Sequence, residues 1–178
     1  DMEATVNGLS ALGAVFTREG EALRVRGFGK KPRNLGVLNC IESGSTLRFL
    51  IPLCLLTGET YVLEGASRLM ERPLSVYEKL CGEEGFLLKK EGNTLKVRGK
   101  LSSGEYTVAG DISSQFITGL LFALSCLEGD SFLRVTGVWE SVSYIDMTLE
   151  AMAEFGVKIR KEKEGFFIPG GQRYRARE

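Results

Sequence analysis

The sequence predicts an α/β fold of the α+β kind, with helices and mixed strands drawn from one repeated unit of about 70 residues. Three observations carry this. The glycines that follow an amphipathic stretch, Gly13, Gly85 and Gly156, stand 72 and 71 residues apart, and the glycines closing the next strand pair, Gly27, Gly99 and Gly170, keep the same two intervals. Between them, Ser43-Gly44-Ser45 and the apolar run to Gly58 return 71 residues later as Ser114-Gln115-Phe116 and the run to Gly129. The local period also switches, from i, i+3, i+4 in the helical stretches to the alternation of Leu23 and Val25 against Arg24 and Arg26 in the strands. Each unit reads βαβαββ.

Residues 1–27 are the end of one unit: a helix through Leu9-Ser10-Ala11-Leu12, stopped at Gly13, then strands ending at Val25-Arg26-Gly27. Asp1 matches Pro73, the expected first residue of the next unit's second helix. By repeat logic, about 45 residues of strand, helix and strand precede Asp1, and about two and a half of three units are present. Residues 28–99 form a full unit: a first strand from near Phe28, a helix after Ser43-Gly44-Ser45-Thr46, a strand over 60–65, a helix from Pro73 to Gly85, and a strand pair ending at Val97-Arg98-Gly99. Pro52 lies inside the first of these helices and predicts a kink or an early end. Residues 100–171 repeat the pattern, with a helix from Ser113-Ser114-Gln115, a strand over 131–137 and a helix capped by Ser143 or Asp146. Residues 172–178 carry Arg173, Arg175 and Arg177 without an apolar pattern, and read as a tail or linker towards a further domain.

Composition excludes several chemistries. Among 178 residues there is no histidine, which removes Ser-His-Asp and Cys-His nucleophile systems, imidazole bases and His-containing metal sites. The 23 Lys and Arg balance the 23 Asp and Glu, so no global field draws the chain to nucleic acid or an anionic membrane. Cys40, Cys54, Cys81 and Cys126 form no C-x-x-C pair and read as reduced thiols of a cytoplasmic protein. The longest apolar runs, 47–56 and 116–127, are shorter than the ~20 residues of a membrane span. No cofactor and no metal is expected.

What remains is local chemistry for an anion. The helices opening at Ser43-Gly44-Ser45-Thr46 and Ser113-Ser114-Gln115 offer free amides, a positive dipole end and hydroxyl donors; each serine taken singly is explained as an N-cap. Arg72, directly before Pro73, sets a cation beside a helix N-terminus, either bridged to Glu71 or a neighbour or acting as an anion clamp. Arg48, one turn into its helix, reads as a structural arginine near the site. Ser141 and Tyr144 occupy the equivalent turn of the last unit, and capping does not explain a tyrosine there. Lys30, Lys31 and Arg33 read as a solvated turn.

Four segments, Glu42-Ser43-Gly44-Ser45-Thr46-Leu47-Arg48, Arg68-Leu69-Met70-Glu71-Arg72-Pro73, Gly110-Asp111-Ile112-Ser113-Ser114-Gln115-Phe116 and Ser141-Val142-Ser143-Tyr144-Ile145-Asp146, together resemble the 5-enolpyruvylshikimate-3-phosphate synthase family, in order and over essentially the whole chain. The resemblance implies an inside-out barrel domain of three βαβαββ units, with residues 1–171 as a partial N-terminal substrate-binding domain and an absent C-terminal domain as partner. It implies transfer of the enolpyruvyl group of phosphoenolpyruvate to the 5-hydroxyl of shikimate 3-phosphate. Position by position, Ser113, Ser114 and Ser141 would hold the sugar phosphate, Tyr144 would line the ring and Gln115 would touch both substrates. Gly44 and Arg72 would meet phosphoenolpyruvate, with Gly44 also where the inhibitor glyphosate packs. The family more often has Asn-Ala-Gly-Thr where this chain has Glu42-Ser43-Gly44-Ser45. The family's proton-moving residues have no counterpart, so this chain alone is expected not to turn over. UDP-N-acetylglucosamine enolpyruvyl transferase shares the barrel but not Ser-Ser-Gln-Phe. RNA 3′-terminal phosphate cyclase uses a histidine nucleophile, and a non-catalytic phosphate- or RNA-binding module is the remaining alternative.

Overall fold

The computed structural model describes residues 1–178 as two units, Asp1–Lys100 and Leu101–Glu178. In the first, α1 (Met2–Ala11) is followed by an antiparallel hairpin of β1 (Val15–Glu19) and β2 (Ala22–Arg26). Then come β3 (Leu38–Asn39), α2 (Gly44–Cys54), β4 (Thr60–Glu64), the short α3 (Ser67–Met70), α4 (Ser75–Glu84), β5 (Leu87–Glu91) and β6 (Thr94–Arg98). The second unit holds β7 (Glu105–Ala109), α5 (Ser114–Leu124), β8 (Ser131–Thr136), α6 (Val142–Glu154), β9 (Arg160–Glu162) and β10 (Gly165–Ile168). Sheet order is β3-β4-β6-β5 in one and β7-β8-β10-β9 in the other, with the first pair parallel and the others antiparallel in both. This is the expected βαβαββ order, present twice.

The repeated glycines have one physical role. Gly13, Gly85 and Gly156 take φ of 99°, 69° and 84° just after α1, α4 and α6, the left-handed conformation that ends a helix without a Cβ penalty. Between these stops, alternate strand residues face the helices: Tyr61, Leu63, Leu95 and Val97 in the first unit, Leu133, Phe166 and Ile168 in the second, all fully buried except Leu95 at 2% exposure. Against them pack Leu47 and Ile51 of α2 and Phe116, Leu120 and Leu121 of α5, each worth roughly 1.5–3 kcal/mol of transfer free energy. The β1–β2 hairpin differs. It forms a two-stranded sheet of its own, and Val25 is 53% exposed where its repeat equivalents Val97 and Ile168 are at 0%.

Several elements depart from the sequence reading. The strand expected from Phe28 is only Leu38–Asn39. The helix expected from Pro73 begins at Ser75, because the Glu78 amide bonds the carbonyl of Leu74, which is the N-cap. Arg72 instead closes the turn after α3, its amide donating to Leu69 O at 3.1 Å, so the cation does not sit on the first turn of α4. At the start of α6 the N-cap is Ser141, not Ser143 or Asp146. Ser143 lies within the helix, and Asp146 pairs with Lys161 at 2.6 Å. The Pro52 helix ends early, at Cys54, two residues past the proline and short of the end of the apolar run.

The basic segments are anchored. Arg33 donates to Gly13 O at 3.2 Å and its amide to Leu12 O, while Lys31 is exposed. In the tail, the Arg175 amide donates to Phe155 O at 2.7 Å, Tyr174 meets the Ser125 hydroxyl at 3.0 Å and Arg177 pairs with Glu154. These cations gather at helix C-termini, where the dipole favours them. The four cysteines are free thiols, three buried and Cys126 half-buried. The single tryptophan, Trp139, stacks on Phe166 with 5.2 Å between ring centroids. No helix is long and apolar enough to cross a membrane.

Candidate functional site

In the first unit the site is built on the N-terminus of α2. Ser43 caps it, its hydroxyl accepting from the Thr46 amide at 3.2 Å and donating to Thr46 Oγ1 at 2.8 Å. Thr46 in turn meets Thr5 of α1 at 2.9 Å. The Ser43 hydroxyl is therefore spent on structure, as the capping reading expects. The amides of Gly44 and Ser45 lie in the first turn, where a helix has no acceptor for them. The approach to this turn is shaped by Asn39, whose Oδ1 accepts from the Ile41 amide at 2.8 Å, and by Ile41 itself at φ 54°. Such Asx turns are readable from an Asn a few residues ahead of a helix entry, a signal the sequence reading passed over.

Arg72 folds across this turn. A Cβ at position 44 would lie 2.5 Å from Arg72 Nη1, so a side chain there displaces that guanidinium, whereas Arg48 Nη1 at 3.6 Å would stay in ordinary contact. Arg72 makes no ion pair with Glu71 or any other carboxylate. Arg48 donates to Pro73 O at 3.5 Å, and its pKa is lowered from the ordinary arginine value, first by burial and then by the charge of Arg72. Two cations held together at the positive end of a helix form an arrangement that an anion relieves. The bridge to Glu71, one of the readings of Arg72, is absent.

In the second unit, Ser113 is the N-cap of α5, accepting from the Gln115 amide at 3.3 Å. Ser114 and Gln115 are its first two helical residues, Ser114 being 7% exposed. The helix starts set Gly44 level with Ser114, a spacing of 70 and not 71, so the serine caps Ser43 and Ser113 correspond. Ser141 adopts φ 53° and ψ 40° and makes no side-chain cap bond, so its hydroxyl is free of structural duty in a strained backbone conformation. Tyr144, 64% exposed, sits in the first turn of α6, which is tied to α5 by the Thr118–Thr148 hydroxyl pair at 3.1 Å. The structure thus brings Gly44, Arg48 and Arg72 together in one unit and places Ser113, Ser114, Gln115, Ser141 and Tyr144 on two helix starts of the other.

Two surface hollows contain none of these residues. One is lined by Gly58, Gly85, Phe86 and Arg98, the other by Gly156, Gly171, Gln172 and Tyr174. Both adjoin the C-terminal glycines of α4 and α6, the helix ends that repel anions.

Comparison with known proteins agrees with the sequence resemblance. The family profile of EPSP synthase (3-phosphoshikimate 1-carboxyvinyltransferase) matches residues 1–178. A 3-phosphoshikimate 1-carboxyvinyltransferase of Clostridium kluyveri is 42% identical over 182 residues, covering 98% of this chain and 42% of that protein. One of Clostridium botulinum strain Alaska E43 is 41% identical over 185 residues, covering 99% and 42%. An EPSP synthase structure from Acinetobacter baumannii superimposes with a TM-score of 0.77 at 20% identity, covering 97% of this chain and 40% of that one, which shows a shared fold. The chain spans about two fifths of the length of the curated relatives it matches. It belongs to the EPSP synthase family.

Proposed function

We propose, from that membership and the geometry of the two helix ends, that this chain is the shikimate 3-phosphate-binding part of a cytoplasmic enolpyruvyl transferase. The whole protein would move the carboxyvinyl group of phosphoenolpyruvate to the 5-hydroxyl of shikimate 3-phosphate, releasing inorganic phosphate, in chorismate biosynthesis. The observation that carries the reading is the Arg72 guanidinium lying over Gly44 beside Arg48, two cations at one helix N-terminus.

In this reading Arg72 and the Gly44 amide bind the phosphate or carboxylate of phosphoenolpyruvate by charge-assisted hydrogen bonds. Ser113, Ser114 and Ser141 receive the phosphate of shikimate 3-phosphate, Gln115 donates through its amide, and Tyr144 lies along the ring. These groups bind and orient. The steps that add the hydroxyl across the enol double bond and expel phosphate draw their acid and base from the remainder of the enzyme, which also completes the domain partnership. The isolated chain is inactive.

Calorimetric titration of this chain with shikimate 3-phosphate, alongside its Ser114→Ala and Arg72→Ala variants, tests the reading. Binding that Ser114→Ala weakens strongly and Arg72→Ala weakens less supports it. Binding indifferent to Ser114 removes the assignment of the sugar phosphate to α5.

A further inference from the structure

Pro52 cannot donate to the carbonyl four residues before it, and in α2 that carbonyl belongs to Arg48. The gap is filled from another element: the hydroxyl of Tyr77, on α4, donates to Arg48 O at 2.7 Å. Tyr77 is fully buried, so its phenol is fixed by packing. Arg48 is also the residue whose guanidinium shares the Gly44 helix end with Arg72, and its Nη2 reaches Pro73 O, two residues before α4 begins. The backbone of Arg48 and its side chain are both held by the segment from 73 to 77.

We propose that Tyr77 is a positioning residue, its hydroxyl substituting for the amide that Pro52 lacks and thereby fixing the α2 turn that aims Arg48 at the anion site. The inference rests on the reading of Gly44 and Arg72 as that site. It explains why a helix with an internal proline runs on to Cys54: its one orphaned carbonyl is satisfied. It also explains why a phenol rather than a phenyl ring is buried between α4 and α2.

A double substitution tests it, because an alanine at 52 restores an amide able to bond Arg48 O within the helix. Phosphate affinity and the Arg48 Nε–H resonance are measured by NMR in the full 178-residue chain, using inorganic phosphate as the probe. Tyr77→Phe, which keeps the ring, shifts the Arg48 resonance and weakens phosphate about 3- to 10-fold, the range of one hydrogen bond. In the Pro52→Ala background, Tyr77→Phe shifts the resonance little and changes affinity by less than about 2-fold. A purely structural tyrosine would lower stability in both backgrounds and leave the resonance where it was. Equal displacement of the resonance by Tyr77→Phe in both backgrounds, or none in either, overturns the proposal. Arg72→Ala is the separate control. If phosphate fails to bind, or binds as well without Arg72, the anion-site reading falls while the Arg48 resonance still decides the role of Tyr77.

Discussion

The two units use the same device with opposite chemistry. Both begin an eleven-residue helix after a serine N-cap, and in both the helix connects two parallel strands. In Asp1–Lys100 the first turn carries glycine and is overlaid by two guanidinium groups. In Leu101–Glu178 it carries Ser114 and Gln115, with the uncommitted Ser141 hydroxyl at the start of the next helix. A helix end supplies a weak, general preference for anions; the neighbours decide how it is used. Cations give strength and tolerate many anions, whereas hydroxyls with fixed directions select a shape.

Removing a guanidinium breaks the comparison most severely. Arg72→Ala is expected to weaken phosphoenolpyruvate binding by the enzyme that carries this chain by about 1.5–3 kcal/mol, the worth of a hydrogen bond to a charged group, measured by calorimetry or by the KM for that substrate. Gly44→Ala comes next. The added methyl meets the mobile end of Arg72 rather than backbone, so folding stability in urea changes by under about 1 kcal/mol while anion affinity drops several-fold as the guanidinium is displaced.

Ser114→Ala sharpens the other side of the comparison. It is expected to reduce shikimate 3-phosphate affinity by roughly 1–2 kcal/mol without altering phosphoenolpyruvate binding at Gly44. Salt separates the two sites further. Raising ionic strength from low to physiological weakens the arginine site more than the hydroxyl site, because screening acts on the protein's charges in one and not the other.

A further contrast is an alkaline one. Burial pushes the Cys40 thiol up to about 12, with Glu64 adding to it, and the Cys81 thiol up to about 11. Both lie in the first unit, as does the fully buried Cys54, whose thiol burial and then Cys40 also raise. The unfolded chain releases these protons from about pH 8.5 upward while the folded chain keeps them, so their stabilisation is complete below that pH and is lost as pH rises towards 12. The second unit has only Cys126 with a thiol raised by burial. Amide exchange at pH 10 should therefore quicken more, relative to pH 8 after correction for intrinsic rates, in Asp1–Lys100. Equal acceleration in both units would remove the thiols as the cause.

The βαβαββ order was legible because each helix needs a left-handed residue to stop it, and glycine at 13, 85 and 156 writes that need into the sequence. Gly44 and Arg72 were legible as candidates because a cation and a glycine at helix ends are locally unexplained, and the structure brings the two together. Less was legible where a tertiary partner decides. The one-residue offset between Gly44 and Ser114 is set by helix starts, which adjacent serines leave ambiguous. Pro73 carries the signature of a first helical residue, yet the preceding turn of α3 takes Arg72 and delays the helix to Ser75. Val25, Val97 and Ile168 stand at equivalent positions, but only the last two have a third strand to cover them. Tyr77 and Pro52 are 25 residues apart in sequence, and no local pattern links a phenol to a missing amide.

The stacking of Trp139 on Phe166 gives the second unit a private optical label. With one tryptophan in the chain, light absorbed at the red edge of the protein band is emitted from Leu101–Glu178 alone, and the first unit is dark at that wavelength. Heat or denaturant scans followed by this emission and by far-ultraviolet dichroism, which sees both units, will coincide only if the two melt as one. A lag between the curves would give each unit its own melting temperature without any label being introduced.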